Sequence, residues 1–357
     1  MSKRIAFCAD GTWDSPASHT NVYRLFKSLT VTAQQMPFYD DGLGANLDPV
    51  SKFVSGAFGT GLYLKIKEAY TKIAQVYESG DQIYIFGFSR GAYTARSLAG
   101  MIAICGLPTK NFTDDLVQTA FRAYREKDNR ASLLASLKDC NIEAAKITML
   151  GVWDTVGALG IPSVFGGVDP IVYGFLDTSL HPDVLNAYHA VSIDEKRAEF
   201  PATLWTSQPA QGQTIEQIWF PGVHSDVGGG EPPDGDETTA LSDIPLAWMM
   251  KKASALGLQI VDDALKSYRF PLDPKYALDK LHTSWTPLWG FPRARLIDKT
   301  AVIANSALIR CQHDTSWRPS NLEFTDGLPA SHYQIAEVVT LPQPIASASP
   351  AVATAVG

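Results

Sequence analysis

The stretch YIFGFSRGAYTAR, residues 84–96, places one serine between two glycines, after an apolar run and before small, helix-compatible residues. Its centre, residues 87–91, matches the pattern G-x-S-x-G. On a strand–turn–helix unit this pattern holds a serine hydroxyl on a sharp bend, where glycines permit close backbone approach and the helix amino terminus favours negative charge. The apolar run enters the bend and the small residues leave it. We therefore expect Ser89 to be a nucleophile rather than a serine of an ordinary tight turn.

Other apolar runs of the chain end in the same way, at a polar residue or a glycine. They cover residues 4–10, 36–42, 146–154 and 214–226, of which 36–42 is the weakest strand pattern. Runs that are apolar throughout indicate burial on both faces of a sheet, as in central parallel strands. Helical patterns lie between them, the clearest over 66–77. The sequence therefore predicts an α/β fold: a mostly parallel twisted sheet with helices on both faces and a site at the carboxyl ends of the strands.

A serine hydroxyl becomes an effective nucleophile when a histidine accepts its proton and a carboxylate orients that histidine. Asp154 ends the buried run 146–154 and is predicted to stand at the carboxyl edge of the sheet, so it is the expected orienting acid. An aspartate that caps the following turn is the alternative interpretation. The rival acids are Asp194, Asp226 and Asp243, of which Asp243 resembles part of a helix cap.

His224 is the predicted base. It follows an apolar run and precedes a glycine run, in a loop able to carry an imidazole to the bend at Ser89. His189 lies in an apolar pattern and is interpreted as a core or surface histidine. The chain order Ser89, Asp154, His224 is the order typical of α/β-hydrolases, so the fold class narrows to that family of folds.

Acyl transfer also needs backbone N–H groups aimed at the developing oxyanion. The amide of Arg90 directly follows the nucleophile and is predicted to supply one of them. Gly11 or Thr12, at the end of the first apolar run, is predicted to supply the other, with an ordinary turn at Asp10 as the alternative. The Arg90 side chain has two interpretations, an ion pair with a buried acid such as Asp10 or the orientation of a phosphate, and both stay open.

Composition excludes several classes of protein. The chain has 357 residues, 45% of them hydrophobic, and a formal net charge of −7. That charge repels phosphate backbones and anionic bilayers at long range, so we expect no nucleic-acid partner, and any transient membrane contact has to be apolar. The cysteines are widely separated and form no C-x-x-C pair, which argues against a zinc or redox motif and indicates buried thiols at Cys8, Cys105, Cys140 and Cys311.

We expect neither a cofactor nor a metal ion. The acidic clusters GDQ, DD and PPDGDE are interpreted as solvated loops, with weak calcium binding as the alternative. The amino terminus reaches Asp10 after an apolar run too short for a signal peptide or a membrane span. The expected location is cytoplasmic, or outside the cell by a non-classical route if the protein is a secreted effector.

One hydrolase domain is predicted over residues 1–340. Residues 157–176 are rich in glycine and proline and carry a single charge, at Asp169, so we expect a lid over residues 157–185, with a buried irregular loop as the alternative. Residues 270–300 mix aromatic residues with arginines and are expected to line a pocket or to form a loop pinned to the core. Residues 341–357 form a low-complexity tail.

Five long motifs, in order along residues 4 to 255, resemble those of the α/β-hydrolase family DUF2235, which includes the Tle1-type phospholipase effectors of the bacterial type VI secretion system. They are FCADGTWDSPASHTNVYRLF, YIFGFSRGAYTAR, GVWDTVG, HAVSIDEKRAEFPATLW and WFPGVHSDVGGG. The resemblance implies an esterase or lipase with a Ser-Asp-His triad and phospholipase A activity among members. The matching positions are Ser89, Asp154 and His224. This chain is expected to lack the extended carboxyl-terminal membrane-binding module of the large effectors.

The predicted function is hydrolysis of carboxylic esters, of lipids or other acyl chains, through an acyl-enzyme. Two alternatives remain: an amide or polyester hydrolase with the same triad, and a non-catalytic binding protein on the hydrolase fold. The acyl length, the head group and the oligomeric state stay open.

Overall fold

The structure is a computed structural model. It describes residues 2–11, 14–42, 58–108, 113–137, 142–157, 178–232, 239–268 and 270–340.

Eight strands form one sheet, and every neighbouring pair in it is parallel. The spatial order is β12-β9-β8-β7-β6-β3-β1-β2. Two short antiparallel pairs, β4 with β5 and β10 with β11, lie outside this sheet. The strands of the described residues are β1 Arg4–Ala9, β2 Gln35–Asp40, β3 Gln82–Phe88, β4 Leu107–Pro108, β5 Ile142–Glu143, β6 Ile147–Trp153, β7 Asn186–Ser192, β8 Thr214–Phe220, β9 Val302–Ala304, β10 Phe324–Thr325, β11 Leu328–Pro329 and β12 Gln334–Ala336.

Helices follow most strands and return the chain to the other end of the sheet, which is what parallel strands require. They are α1 Asn21–Ser28, α2 Phe58–Val76, α3 Ser89–Cys105, α4 Asp114–Arg125, α5 Arg130–Ser136, α6 His224–Gly228, α7 Asp243–Ala255, α8 Asp262–Ser267 and α9 Ser306–His313. Three single-turn 3-10 helices occur at Pro16–Ser18, Pro274–Leu278 and Pro287–Trp289.

Both faces of the sheet are buried, because successive side chains of a strand point to opposite faces. Ile5 and Ile83 pack on one face with α2, α3 and α4. Their neighbours Ala6 and Tyr84 pack on the other face with α1 and α7. The predicted α/β fold, with a parallel sheet between two helical layers, is therefore confirmed, and each of the five apolar runs contains a strand of this sheet.

Three strands of the eight-stranded sheet were not predicted from the sequence: β7, β9 and β12. β7 contains His189, which is fully buried and accepts a hydrogen bond from the Thr155 N–H at its Nε2 atom, 3.1 Å away. Burial lowers the pKa of His189 to about 3, so this ring is neutral. The core interpretation of His189 is confirmed, but the polar residues of the segment concealed the strand that carries it.

The predicted lid falls largely outside the described residues, which end at 157 and resume at 178. Residues 178–185 lead into β7 at its amino end: Leu185 N–H donates to the Ile147 carbonyl, at the start of β6. Ser89 lies at the carboxyl end of β3, so residues 178–185 do not cover it. The predicted tail, 341–357, also lies outside the described residues, as does Cys140, whereas Cys8, Cys105 and Cys311 are buried free thiols.

Candidate active site

Ser89 stands at the bend between β3 and α3. Its φ is +57°, a conformation that residues with a β carbon seldom adopt. The two glycines beside it explain how the bend closes: a β carbon on Gly87 would lie 2.5 Å from the Gly91 carbonyl oxygen, and one on Gly91 would lie 2.3 Å from the carbonyl oxygens of Ala9 and Asp10. Both positions therefore exclude a side chain, and the sequence pattern G-x-S-x-G reports this close packing.

Three strand ends bring the predicted triad residues into one hydrogen-bonded series. His224 Nε2 lies 2.8 Å from Ser89 Oγ, and His224 Nδ1 lies 2.5 Å from Asp154 Oδ2. Asp154 directly follows β6, and His224 begins the short helix α6 after β8. All three residues are buried, with exposed fractions of 4% for Ser89, 0% for Asp154 and 6% for His224.

The charge states of the series follow from burial and from the partners. Burial acts to raise the pKa of Asp154, but the Arg295 charge and the hydrogen bond from His224 outweigh it and hold that pKa well below its usual range. Burial lowers the pKa of His224, more than Asp154 raises it. An ionised Asp154 can only accept, so His224 Nδ1 carries the proton and Nε2 is left to accept from the Ser89 hydroxyl.

Arg295 completes the surroundings of Asp154 and was not recognised individually in the sequence. Its Nη1 and Nη2 atoms donate to Asp154 Oδ1 and Oδ2 at 2.6 and 2.9 Å, a paired contact with both carboxylate oxygens. Ser192 N–H also donates to Oδ1, at 2.9 Å. Arg295 is itself buried and donates to the carbonyls of Ser192 and Phe200. Asp154 is thus fixed from three sides.

Aromatic side chains enclose the imidazole. The Phe88 ring lies 4.6 Å from the ring of His224, centroid to centroid, and the Phe200 ring meets it edge-on at 5.2 Å. Trp289 packs edge-on against Phe200 at 5.5 Å. These rings exclude water from the base and account for the desolvation that lowers the pKa of His224.

Glu195 is a second buried carboxylate near the base, and the sequence did not single it out. It is fully buried, and its Oε2 atom accepts from the backbone N–H of His224 at 3.3 Å and from the Ser284 hydroxyl at 2.8 Å. Arg197 donates to both of its oxygens at 2.9 Å. Burial acts to raise the pKa of Glu195, but the contact with Arg197 prevails and lowers it to about 2. Glu195 therefore holds the backbone of His224 as an anion.

The backbone N–H groups predicted to bind the oxyanion, those of Arg90 and of Gly11 or Thr12, have different hydrogen-bonding environments. Arg90 is in the first turn of α3, where backbone N–H groups have no partner within the helix. Gly11 lies beside Ser89, since a β carbon on it would be 3.3 Å from the serine β carbon, but its N–H donates to Asp10 Oδ1 at 2.9 Å. Thr12 lies outside the described residues. Asp10 accepts from the hydroxyls of Thr20 and Tyr39.

The rival acids have other partners. Asp194 accepts from the Gly222 N–H and the Trp317 indole, Asp226 accepts from His282 Nδ1 at 2.6 Å, and Asp243 forms an ion pair with Arg24. None of these contacts involves His224.

Two of the acidic clusters have lysine partners, and PPDGDE lies outside the described residues except for Pro232. Asp40 and Asp41 contact Lys65, and Asp81 contacts Lys3. Within the described ranges, no three histidine, cysteine or acidic side chains are arranged to hold a metal ion. A search of the same residues finds no helix with the length and apolarity needed to cross a bilayer.

Comparison with known proteins gives one family and several relatives. The model of the type VI secretion phospholipase effector Tle1-like catalytic domain matches residues 3–252. An uncharacterized protein of Saccharomyces cerevisiae is 29% identical over 235 residues, which covers 58% of this chain and 33% of that protein.

Two solved structures match this chain at low identity. An uncharacterized protein from Pseudomonas aeruginosa has 19% identity and a TM-score of 0.44, covering 75% of this chain and 48% of that one. The Tle1 effector bound to the VgrG spike of the type VI secretion system has 18% identity and a TM-score of 0.37, covering 66% and 52%. The chain thus spans about a third of the curated relative and about half of each solved structure.

Proposed function

Since this chain belongs to the family of Tle1-like catalytic domains of type VI secretion phospholipase effectors, we propose that it hydrolyses carboxylic esters of phospholipids with Ser89 as nucleophile. The observation that carries the proposal is the series from Ser89 Oγ to His224 Nε2 and from His224 Nδ1 to Asp154, at 2.8 and 2.5 Å. Its position at the carboxyl ends of parallel strands supports the proposal further, because ligands of open α/β sheets bind there.

The reaction proceeds in two halves. Ser89 Oγ attacks the ester carbonyl carbon while its proton passes to His224 Nε2, and the carbonyl oxygen becomes an oxyanion near the Arg90 N–H. The oxyanion collapses, the bond to the leaving oxygen breaks, and Nε2 returns the proton to that oxygen. Water then attacks the acyl-Ser89 ester by the same route and releases a fatty acid. Asp154 stays ionised throughout and stabilises the imidazolium.

Hydrolysis of a monomeric phospholipid tests this function without any lipid surface. We expect the chain to release hexanoate from dihexanoyl-phosphatidylcholine below its critical micelle concentration, and Ser89→Ala to lower kcat by at least about 1,000-fold. Ser97→Ala is the matched control, because it makes the same change in the same helix, about 12 Å further along the axis. It should retain the activity of the parent chain.

Three results would contradict the proposal. Release of hexanoate at the same rate by the parent chain and the Ser89→Ala variant would exclude Ser89 as nucleophile. Turnover of an acyl amide with no turnover of any ester would assign the triad to a different reaction class. Absence of both activities in a folded chain would favour the non-catalytic interpretation.

A further inference from the structure

Three apolar side chains near the candidate active site are almost completely exposed. Leu288, Phe291 and Leu296 have exposed fractions of 85%, 94% and 91%, the highest of any large hydrophobic residues that the structure describes. They fall within nine consecutive residues. Single exposed hydrophobic residues are ordinary on soluble proteins, whereas several together indicate a surface that meets another apolar phase. We call these three side chains the apolar rim.

The backbone beneath the apolar rim is anchored, so its exposure is built into the fold. Trp289 packs on Phe200, which contacts the His224 ring. The Arg293 N–H donates to the Lys196 carbonyl at 2.7 Å, and Arg295 is paired with Asp154. These anchors hold the segment at the same end of the molecule as Ser89, while the side chains between them point outward.

The charge around the apolar rim is opposite in sign to that of the whole chain. No acidic residue occurs between Asp279 and Asp298, although the formal net charge of the protein is −7. A cavity of about 270 Å³ next to Leu296 is lined by Arg197, Arg293 and Arg295, and by no carboxylate among its described lining residues. Arg197 and Arg295 are paired with buried acids, whereas Arg293 is exposed and is the third arginine of this lining.

We propose that the apolar rim docks the protein on a phospholipid bilayer, with Arg293 facing lipid phosphates. Apolar side chains enter the boundary between head groups and acyl chains, and a nearby cation adds attraction to anionic lipid. The proposal rests on the proposed function, because docking here brings a lipid ester to the end of the molecule that carries Ser89 and His224. A two-fold contact between copies would place Arg293 of one chain against Arg293 of the other, and this repulsion of like charges favours a bilayer as the occupant of the apolar rim.

Vesicle co-sedimentation of the Ser89→Ala chain tests docking without hydrolysis. The probes are vesicles of phosphatidylcholine alone and of phosphatidylcholine mixed with phosphatidylglycerol. We expect Leu288→Ser combined with Phe291→Ser to weaken binding to both by at least about tenfold. Arg293→Gln should weaken binding only to the mixed vesicles, by about fivefold. Val31→Ser is the matched control, because Val31 is 77% exposed but precedes β2, at the opposite edge of the sheet.

The outcomes separate this proposal from the proposed function. Thermal unfolding of each variant establishes that it is folded, and dihexanoyl-phosphatidylcholine monomers report catalysis independently of any surface. Docking is overturned if the Ser89→Ala chain does not sediment with either vesicle, or if the double variant sediments as well as Val31→Ser does. It is also overturned if sedimentation velocity shows a dimer that the double variant dissociates, since the rim then covers a second copy. If the parent chain does not hydrolyse dihexanoyl-phosphatidylcholine monomers but the Ser89→Ala chain still sediments with vesicles, the proposed function alone is overturned.

Discussion

Ser89 holds a backbone conformation that is unfavourable for every residue except glycine. Its φ of +57° persists because Gly87 and Gly91 pack the bend tightly against β1 and α3. The strain has a clear consequence for position: the hydroxyl is lifted out of the strand and presented to His224 Nε2. Asp154, with a φ of +41°, is a second strained residue of the same series.

Ser89→Gly should therefore be more stable than Ser89→Ala. Both variants lack the hydroxyl and should be inactive, but only alanine retains the β carbon that opposes a positive φ. We expect a difference of about 1 kcal/mol in the free energy of unfolding, in favour of glycine. Urea denaturation of the two variants measures it, and a less stable glycine variant would show that Ser89 is not strained.

Arg295 is the residue that most changes the chemistry expected of the triad. A buried guanidinium on both oxygens of Asp154 neutralises part of the charge that would otherwise stabilise the His224 imidazolium. The base consequently becomes neutral at lower pH. Arg295 does not contact the serine, so it acts as a positioning residue.

Arg295→Met should shift the pH dependence of ester hydrolysis. Removing the cation leaves the whole Asp154 charge to His224, so the pKa of His224 rises and the acid limb of kcat/KM moves to higher pH, by roughly one unit. Arg295→Lys keeps the charge and should leave the limb near its original position. A limb that is unchanged in Arg295→Met would show that the guanidinium does not act on the base.

The residues of the series were predictable because each one ends an apolar strand at a polar residue. Ser89, Asp154 and His224 all carry that local mark. Arg295 carries no such mark: it lies 141 residues from Asp154 along the chain, in a segment without strand or helix periodicity. Sequence patterns give information about residues that are close along the chain. The contact of Arg295 with Asp154 forms only in the folded protein, so no pattern predicts it.

Two glycines of helix α3 have different neighbours: Gly91 lies against backbone at the end of β1, and Gly100 lies against a side chain. A β carbon on Gly91 would collide with backbone oxygens at 2.3 Å, whereas one on Gly100 would meet the Tyr124 side chain at 2.9 Å. The carbonyl oxygens of Ala9 and Asp10 are fixed by the backbone, whereas the Tyr124 ring, although buried, can shift by a few tenths of an ångström through its side-chain torsions. The two glycines of one helix thus have different roles.

Gly91→Ala should destabilise the protein by about 3 kcal/mol or more, as overpacking against backbone does in its severe cases. Gly100→Ala is the matched change and should alter stability by less than about 1 kcal/mol, because the gain in helix propensity offsets the shift of Tyr124. Chemical denaturation compares the two, and equal effects would contradict the packing described for the bend.

Among the elements, the strands that escaped prediction have a common cause. β7 is interrupted by Asn186 and His189, and β9 and β12 are only three residues long. Asn186 donates from its side chain to the Thr148 carbonyl, and His189 accepts from Thr155, so tertiary partners satisfy polar groups that would otherwise oppose burial. Strand propensity alone carries no information about those partners.

At the scale of the whole molecule, Glu195 joins segments that are distant in the chain. It holds the backbone of His224 and the hydroxyl of Ser284 and pairs with Arg197. Its pKa, lowered to about 2, lies below the value near 4.3 expected in the unfolded chain. A carboxylate with a lowered pKa contributes stability above its unfolded pKa, and this contribution is lost as the pH falls towards the folded value.

Glu195→Gln should be less stable than the parent chain at pH 7, and this difference in stability should become smaller in acid. The difference in free energy of unfolding should fall by about 2 kcal/mol between pH 7 and pH 3, because only the parent chain loses the ionised contact. Carboxyls with raised pKa values, such as Asp194 and Asp226, are common to both proteins and cancel. A difference that stays constant with pH would show that Glu195 is not held as an anion.

The hydrogen-bonded series of Ser89, His224 and Asp154, the aromatic rings around His224 and the apolar rim all lie at one end of the molecule. The eight parallel strands of the sheet define that end by their carboxyl termini, and the segment that carries Arg295 is fixed to it through Asp154. Arg293 to Leu296 line a cavity with residues between 197 and 204. The pocket-lining role of residues 270–300 as a whole stays a prediction.

Fluorophosphonate labelling followed by peptide mass mapping tests the central claim most directly, because the reagent forms a covalent bond only with an activated hydroxyl. We expect a single adduct on Ser89, at close to one per chain, that is strongly reduced in His224→Ala and retained in Ser97→Ala. An unlabelled parent chain, or an adduct on another residue with Ser89 unmodified, would contradict the account.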